Sequence, residues 1–425
     1  MTFAGQPYGT DSLAWYDPAP DLECILMRVY LDNAATSWPK PASVYEACDH
    51  YMRESGAPAG RGSYREADEV GRRISQCRRQ LASLLGSDKP DNMIFTAGGT
   101  DSLNLAIKGI VNPTDHVITT VAEHNSVLRP LRQLEENQQV AVTRVSADAG
   151  GLVAIDDIAA AIRPNTRLIA ILHVSNVTGA LQPIDQVVQL GHQHGIVTLL
   201  DAAQSLGHLP FSLAEVPVDL LACSAHKGLM GPLGLGLLYV ADTVAERLRP
   251  LRQGGTGTDS NLDKQPETLP EKFESGNLNV PAILGLEAAL QFVLETGVET
   301  IHARIAELTA ELRDGFAAIE NVQLHAPSNP AQQLGVVSIN LPGFDPREVA
   351  ATLDHSFGIQ VRAGMHCAPL LHPSLGTDQQ GGTIRFSPGW FNTTDEIQNA
   401  IAAISELSAA SWAEEDSAST DGILE

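Results

Sequence analysis

"TRLIAILHVSNVTGALQPIDQVVQLGHQHGIVTLLDAA" (residues 166–203) holds an apolar run, a helical pattern closed by Gly195, and a second apolar run ending on Asp201. A strand buried on both faces reads as a continuous apolar run, and a helix joining two such strands marks a parallel sheet. The same texture extends both ways. "NMIFTA" (92–97), "HVITTV" (116–121), "DLLACSA" (219–225) and "LGLLYV" (235–240) read as strands. "DSLNLAIKGI" (101–110) sets Leu103, Ala106, Ile107 and Ile110 on one helical face. "SVLRPLRQLEE" (126–136) also looks helical, with Pro130 expected to kink or start it. Alternating strands and helices predict an α/β domain with a mostly parallel mixed sheet covered on both faces.

After about residue 300 the texture changes. A long amphipathic helix, "HARIAELTAELRDGFAAI", is followed by the strands "GVVSINL", "IQVRAG" and "GTIRFSPG", with helices at about 346–356 and 393–408. This reads as a smaller α+β C-terminal domain. The division expected is an N-terminal arm (1–29), a large domain (30–300), a small domain (301–408) and an acidic disordered tail (409–425), with segment 30–45 a candidate to associate with the small domain.

A formal charge of −24, from 27 basic and 51 acidic residues, argues against nucleic acid and anionic membranes as partners. Five scattered cysteines without C-x-x-C spacing argue against a disulfide framework and a Cys-rich metal site, and no metal is expected. No apolar run approaches the roughly 20 residues needed to span a bilayer, and the first residues show no signal-peptide core. A reducing, cytoplasmic setting is the expectation.

Three local features carry chemistry together. In "FTAGGTDSLN" (95–104) a strand ends, two glycines turn the chain and Thr100 opens a helix. That is an anion site or, read alone, a plain helix cap. Asp201 ends an otherwise apolar strand, where open α/β sheets bind ligands, though an acid there also caps the next helix. Lys227, in "SAHKG" (224–228), follows 26 residues later at another strand end, with Ser224 and His226 as flanking donors. A single lysine is usually solvated, but one beside a pocket can lose its proton and bond to an aldehyde. Phosphate cradle, carboxylate and amine, in that order, are what pyridoxal 5'-phosphate needs.

With these residues in view, the chain resembles the class V aminotransferase-type proteins of fold type I, and within them the cysteine desulfurases of the Suf-like group. The likeness rests on "LDNAAT" (31–36), "EHNS" (123–126), "SNVTG" (175–179), "DAAQS" (201–205), "HKG" (226–228), "RAGMHCAP" (362–369) and "TIRFSPGWFNT" (383–393) in family order. It implies a fold type I pyridoxal-phosphate enzyme that turns L-cysteine into L-alanine and leaves sulfur on an enzyme cysteine. Lys227 would hold the cofactor, Asp201 would pair with its ring nitrogen, and His124 would stack on the ring. Gln204 and Asn176 would touch the phenolic oxygen, Asn176 also lying near the substrate carboxylate. Gly99, Thr100, Ser224 and His226 would hold the phosphate, Arg385 the substrate carboxylate, and Cys367 would accept the sulfur. A homodimer is implied, with Asn277 of "ESGNLN" (274–279) standing where the family often has a threonine that reaches the neighbouring subunit's phosphate. A sulfur-acceptor protein is a further possible partner. Three other readings stay open: a selenocysteine lyase acting on L-selenocysteine, another class V reaction (transamination or C–C lysis) that leaves Cys367 idle, and a non-enzymatic homologue, which the presence of Lys227 disfavours. Each residue also has a bland reading: a helix cap for His124, a turn for Asn176, a surface pair for Arg385 and a small buried hydrophobe for Cys367.

Overall fold

A computed structural model describes residues 28–59, 62–258, 261 and 263–420; the N-terminal arm through residue 27 lies outside them. In chain order the elements are β1 (Val29–Tyr30), α1 (Ala42–His50), α2 (Arg65–Leu84), β2 (Met93–Thr96), α3 (Gly99–Ile110), β3 (His116–Thr120), α4 (Asn125–Gln138), β4 (Ala141–Val145), α5 (Ile155–Ala160), β5 (Thr166–Leu172), α6 (Ile184–His194), β6 (Val197–Asp201), β7 (Leu220–Ser224), β8 (Gly236–Val240), α7 (Asp242–Ala245), α8 (Val280–Thr296), α9 (Val298–Ala317), β9 (Gln323–His325), β10 (Val337–Asn340), α10 (Pro346–Phe357), β11 (Ile359–Gln360), β12 (Arg362–Gly364), α11 (His372–Leu375), β13 (Thr383–Phe386) and α12 (Thr394–Thr420).

The large sheet has seven strands in the order β2-β8-β7-β6-β5-β3-β4. It is parallel except at β8, which runs antiparallel to both neighbours. Period-2 alternation divides its side chains between two cores. Ile169, Ile171, Leu200, Leu221 and Cys223 face one, while Leu168, Ala170, Leu199, Leu220 and Ala222 face the other. Full burial of each such Leu or Ile contributes about 1.5–3 kcal/mol, which is why these strands read as unbroken apolar runs. Cys223 is therefore sheet interior. The edge strand β4 is mostly half-buried, and its mixed pattern, "AVTRV", escaped the sequence reading.

The small sheet, β12-β13-β10-β9, is antiparallel. The stretch 359–364, expected as one strand, divides at Val361: β11 pairs in parallel with β1, while β12 joins β13. Val29 and Leu31 pack into the core of this region with Leu308, Leu312, Phe316 and Ile384. Of the two expectations for Pro130, a helix start is excluded: α4 begins at Asn125 and contains it. α12 runs on to Thr420, into the stretch expected as a tail, where alanine and glutamate are strong helix formers; residues 421–425 lie outside the described residues.

Candidate active site

The carboxyl ends of the parallel strands open into a cleft of about 230 Å³. Gly99, Thr100, His124, Asn176, Asp201, Gln204, Ser224, His226, Lys227 and Arg385 all line it. Sheet order explains the convergence. β6 and β7 are neighbours, with Asp201 opposite Ala222, so Asp201 and the Ser224–Lys227 turn leave the sheet side by side. A larger depression of about 650 Å³, against Arg78, Glu274 and Asn277, contains neither Asp201 nor Lys227. The reactive groups sit in the smaller cleft.

At the cleft's floor α3 starts without a side-chain cap. A Cβ on Gly99 would stand 2.4 Å from Ser224 Oγ, so only glycine lets the helix end approach β7 this closely. Thr100 Oγ1 and Ser126 Oγ lie 2.7 Å apart. His226 Nδ1 is buried with no hydrogen-bond partner. Uncapped backbone N–H groups, hydroxyls and an unpartnered imidazole nitrogen make a set that suits a phosphate.

Asp201 is 7% exposed and accepts the Ala203 N–H at 3.0 Å. Burial raises its carboxyl, while the Ala203 N–H and Lys227 pull it back. Lys227 keeps part of its surface open to the cleft, but protein surrounds its amine. Burial lowers its pKa, Asp201 opposes this, and Arg385 and Arg362 reinforce it. A lysine so placed gives up its proton more readily than a solvated one, which frees the amine to act as nucleophile or proton acceptor. His124 is indeed the N-cap of α4: its Nδ1 accepts the Ser126 N–H at 3.0 Å. That bond leaves Nε2 as the protonated nitrogen of the neutral ring, and burial followed by Lys227 lowers the His124 pKa to about 4. The cap and the functional reading are compatible. Gln204 Nε2 donates to the Ala34 carbonyl at 2.9 Å and ties "LDNAAT" to the cleft.

Arg385 is 1% exposed, so its surface reading falls. Its Nη2 donates to Asp32 Oδ1 at 2.7 Å and its Nη1 to the Asn176 carbonyl at 3.0 Å, while Nε has no partner. Burial pushes the guanidinium below its usual range and Asp32 draws it back. A planar fork with unused donors suits a carboxylate.

Cys367 does not line the cleft itself. It lies in an adjoining depression that shares Thr100, His124 and Ser126 with the cleft. Arg362, which does line the cleft, donates from Nη2 to Cys367 Sγ at 3.4 Å. Asn277 lines the separate larger depression, on a loop anchored by Glu274. Glu274 accepts from Arg78 at 2.5 Å and from the Phe95 N–H at 2.6 Å.

The sequence reading assigned no role to Asp32, Glu123, Ser126, Arg362 or His366, although each falls inside a motif quoted for the resemblance. Glu123 is fully buried; its Oε1 accepts from Thr120 and Leu172, its Oε2 has no partner, and burial raises its carboxyl far above the usual range. It is a buried acid beneath the site with one oxygen unpartnered.

A parallel sheet with a buried lysine and a buried aspartate at neighbouring strand ends, beside an uncapped helix N-terminus, defines a class of pyridoxal-phosphate enzymes. The family model for aminotransferase class-V matches residues 29–400, and the chain belongs to that family, whose members use pyridoxal phosphate. It is 33% identical over 395 residues to a probable cysteine desulfurase of Methanothermobacter thermautotrophicus, covering 92% of this chain and 97% of the relative. It is 31% identical to a cysteine desulfurase of Klebsiella pneumoniae over 386 residues, 89% of this chain and 93% of that one. The apo cysteine desulfurase of Thermococcus onnurineus superposes with a TM-score of 0.84 at 31% identity, covering 90% of this chain and 95% of that chain. The cysteine desulfurase CsdA of Escherichia coli superposes with a TM-score of 0.80 at 27% identity, with the same coverage.

Proposed function

We propose that this cysteine desulfurase works with Lys227 as its cofactor lysine and base, Arg385 as the substrate-carboxylate anchor and Cys367 as the sulfur acceptor. When bound, pyridoxal phosphate supplies an aldehyde for amines and a ring that takes up electron density from the substrate. Gly99, Thr100, Ser224 and His226 would hold its phosphate, Asp201 its ring nitrogen, Gln204 and Asn176 its phenolic oxygen, and Lys227 its aldehyde carbon, with neutral His124 against the ring. Arg385 and Asn176 orient the carboxylate of cysteine. Lys227 Nζ, once released, accepts the Cα proton. Cys367 Sγ attacks the substrate sulfur as a thiolate. The S–S bond forms as the Cβ–S bond breaks; the carbon fragment keeps the electron pair, gains a proton at Cβ, regains one at Cα from Lys227 and leaves as alanine, and the enzyme keeps a persulfide.

The observation that carries this reading is the Arg362–Cys367 contact at the cleft. It sets Cys367 apart from the other described cysteines. Burial raises the thiols of Cys48, Cys77 and Cys223, the last to about 12, so they stay protonated and unreactive at neutral pH. Borohydride reduction of the holoenzyme should fix a pyridoxyl group on Lys227, read by peptide mass spectrometry; an adduct on another lysine refutes the assignment. Transfer of the persulfide sulfur to an acceptor protein belongs to the same reading.

A homodimer completes it, supported by the anchored Gly-rich loop that carries Asn277. No single helix among the described residues is long and apolar enough to cross a membrane; a cytoplasmic setting is part of the proposal because persulfide chemistry needs a free thiol. The domain division near residue 300 is likewise proposed. It is supported by α9, which packs Ile301 and Ile305 against α8 and Leu308, Leu312 and Phe316 into the small core.

A further inference from the structure

The Cys367 loop follows β12 and has an unusual backbone. His366 and Cys367 are consecutive non-glycine residues with φ of +46° and +60°. Side chains other than Gly rarely take this left-handed region, and two in succession persist only where the surroundings over-determine them. Both residues are held by such surroundings here. His366 is 2% exposed, and its Nε2 meets the Thr383 carbonyl at 3.0 Å and Thr383 Oγ1 at 2.9 Å. Its own carbonyl accepts from Asn176 Nδ2 at 2.6 Å. The Cys367 carbonyl accepts the Asn125 N–H at 2.7 Å, which ties the loop to the start of α4.

These bonds close a circuit. Arg385 donates to the Asn176 carbonyl, Asn176 donates to the His366 carbonyl, and the His366 ring donates to Thr383, which shares β13 with Arg385. The group that would anchor the substrate carboxylate and the loop that carries the nucleophile are thus joined in one hydrogen-bonded circuit.

We infer that His366 is a positioning residue for sulfur transfer: it holds Cys367 in its left-handed backbone and fixes the thiol relative to the Arg385–Asn176 anchor. The inference rests on the desulfurase reading and goes beyond it in naming what aims the thiol. His366 is not itself a proton carrier. Burial, reinforced by Arg385 and Arg362, holds its imidazole well below the usual range, so it is a neutral donor at working pH.

The test uses the parent holoenzyme with His366→Ala, His366→Gln and Thr383→Val. In His366→Ala, kcat for alanine formation and the single-turnover yield of persulfide on Cys367 should fall at least 10-fold, while KM for cysteine stays within threefold. His366→Gln keeps an N–H donor and should recover a substantial part of kcat. Independently of activity, hydrogen exchange in the apoprotein should quicken at least 10-fold at the Ala368 and Asn125 amides in His366→Ala, and two- to fivefold in Thr383→Val, which loses only the hydroxyl contact. Parent-like exchange and parent-like kcat in His366→Ala overturn the inference. So does a KM that rises as much as kcat falls. Should His366→Ala not fold, Thr383→Val decides: parent-like exchange at Ala368 overturns the inference. A parent enzyme that forms no persulfide on Cys367 overturns the desulfurase mechanism instead, and the exchange arm still reports on the loop.

Discussion

Replacing Asp32 by alanine removes the one carboxylate that pairs with Arg385 among the described residues. The guanidinium is 1% exposed at its side chain and Asp32 21%, with Nη2 and Oδ1 2.7 Å apart. Breaking a fully buried pair by deleting one partner costs about 3–5 kcal/mol, because the surviving charge is left uncompensated. Asp32 is partly open to water, which screens the pair and lowers the expected loss to about 2–3 kcal/mol. Asp32→Asn keeps an oxygen acceptor for Nη2 and loses only the charge, so it should fall between parent and Asp32→Ala. The pair also bears on the reaction. In the parent, Asp32 already offsets the Arg385 charge, and an incoming carboxylate shares it. In Asp32→Ala the substrate carboxylate becomes the only counter-charge, so L-alanine should stabilise this variant more than it stabilises the parent. Urea unfolding of each holoenzyme, with and without L-alanine, measures both effects. Asp32→Ala unfolding at the parent midpoint, or an L-alanine shift no larger than the parent's, would show that Arg385 does not depend on Asp32 and would refute the reasoning.

Gly99→Ala puts a Cβ 2.4 Å from Ser224 Oγ, so the hydroxyl must swing out of the cradle; cofactor retention on dialysis should weaken by about 1.5–3 kcal/mol, one hydrogen bond to a charged group, read from the visible absorbance. Cys367→Ala should keep the cofactor colour and the spectral change on adding cysteine yet form no persulfide and little alanine; turnover at the parent rate would point to another class V reaction. Asn277→Ala should weaken cofactor retention by about the same 1.5–3 kcal/mol if the loop reaches a second subunit's phosphate, and a fully active monomer in sedimentation would refute the shared site. Burial lowers His173 and His208 to about 4. From an unfolded value of about 6.5, the unfolded chain binds protons that the native state refuses, so stability is full above pH 6.5 and falls toward pH 4, by at most about 3 kcal/mol for each imidazole. A variant with His173→Gln and His208→Gln should show a shallower fall in the urea midpoint over that window, and an unchanged slope would exclude these two groups as its source.

What the sequence determined by itself is what local chemistry encodes. Apolar runs such as 166–172 and 197–201 announce strands buried on two faces, and the glycines before Thr100 announce a helix end bare enough for an anion. Asp201 and Lys227 were legible because a charged residue closing an apolar run stands out. The motif "RAGMHCAP" marked Cys367 as the thiol to watch. What only the tertiary structure decided depends on residues far apart in the chain. Nothing local to "LDNAAT" shows that Asp32 neutralises Arg385, 353 positions away. Nothing in 359–364 shows that it serves two sheets, because pairing partners lie in β1 and β13. The left-handed backbone at His366 and Cys367 is invisible to propensity, which argues against it; the bonds from Asn176, Thr383 and Asn125 impose it. Local pattern selects elements through burial and backbone preference. Which buried charges meet, and which strained turn is held, is set by long-range hydrogen bonds that exist only once the large and small sheets have packed together.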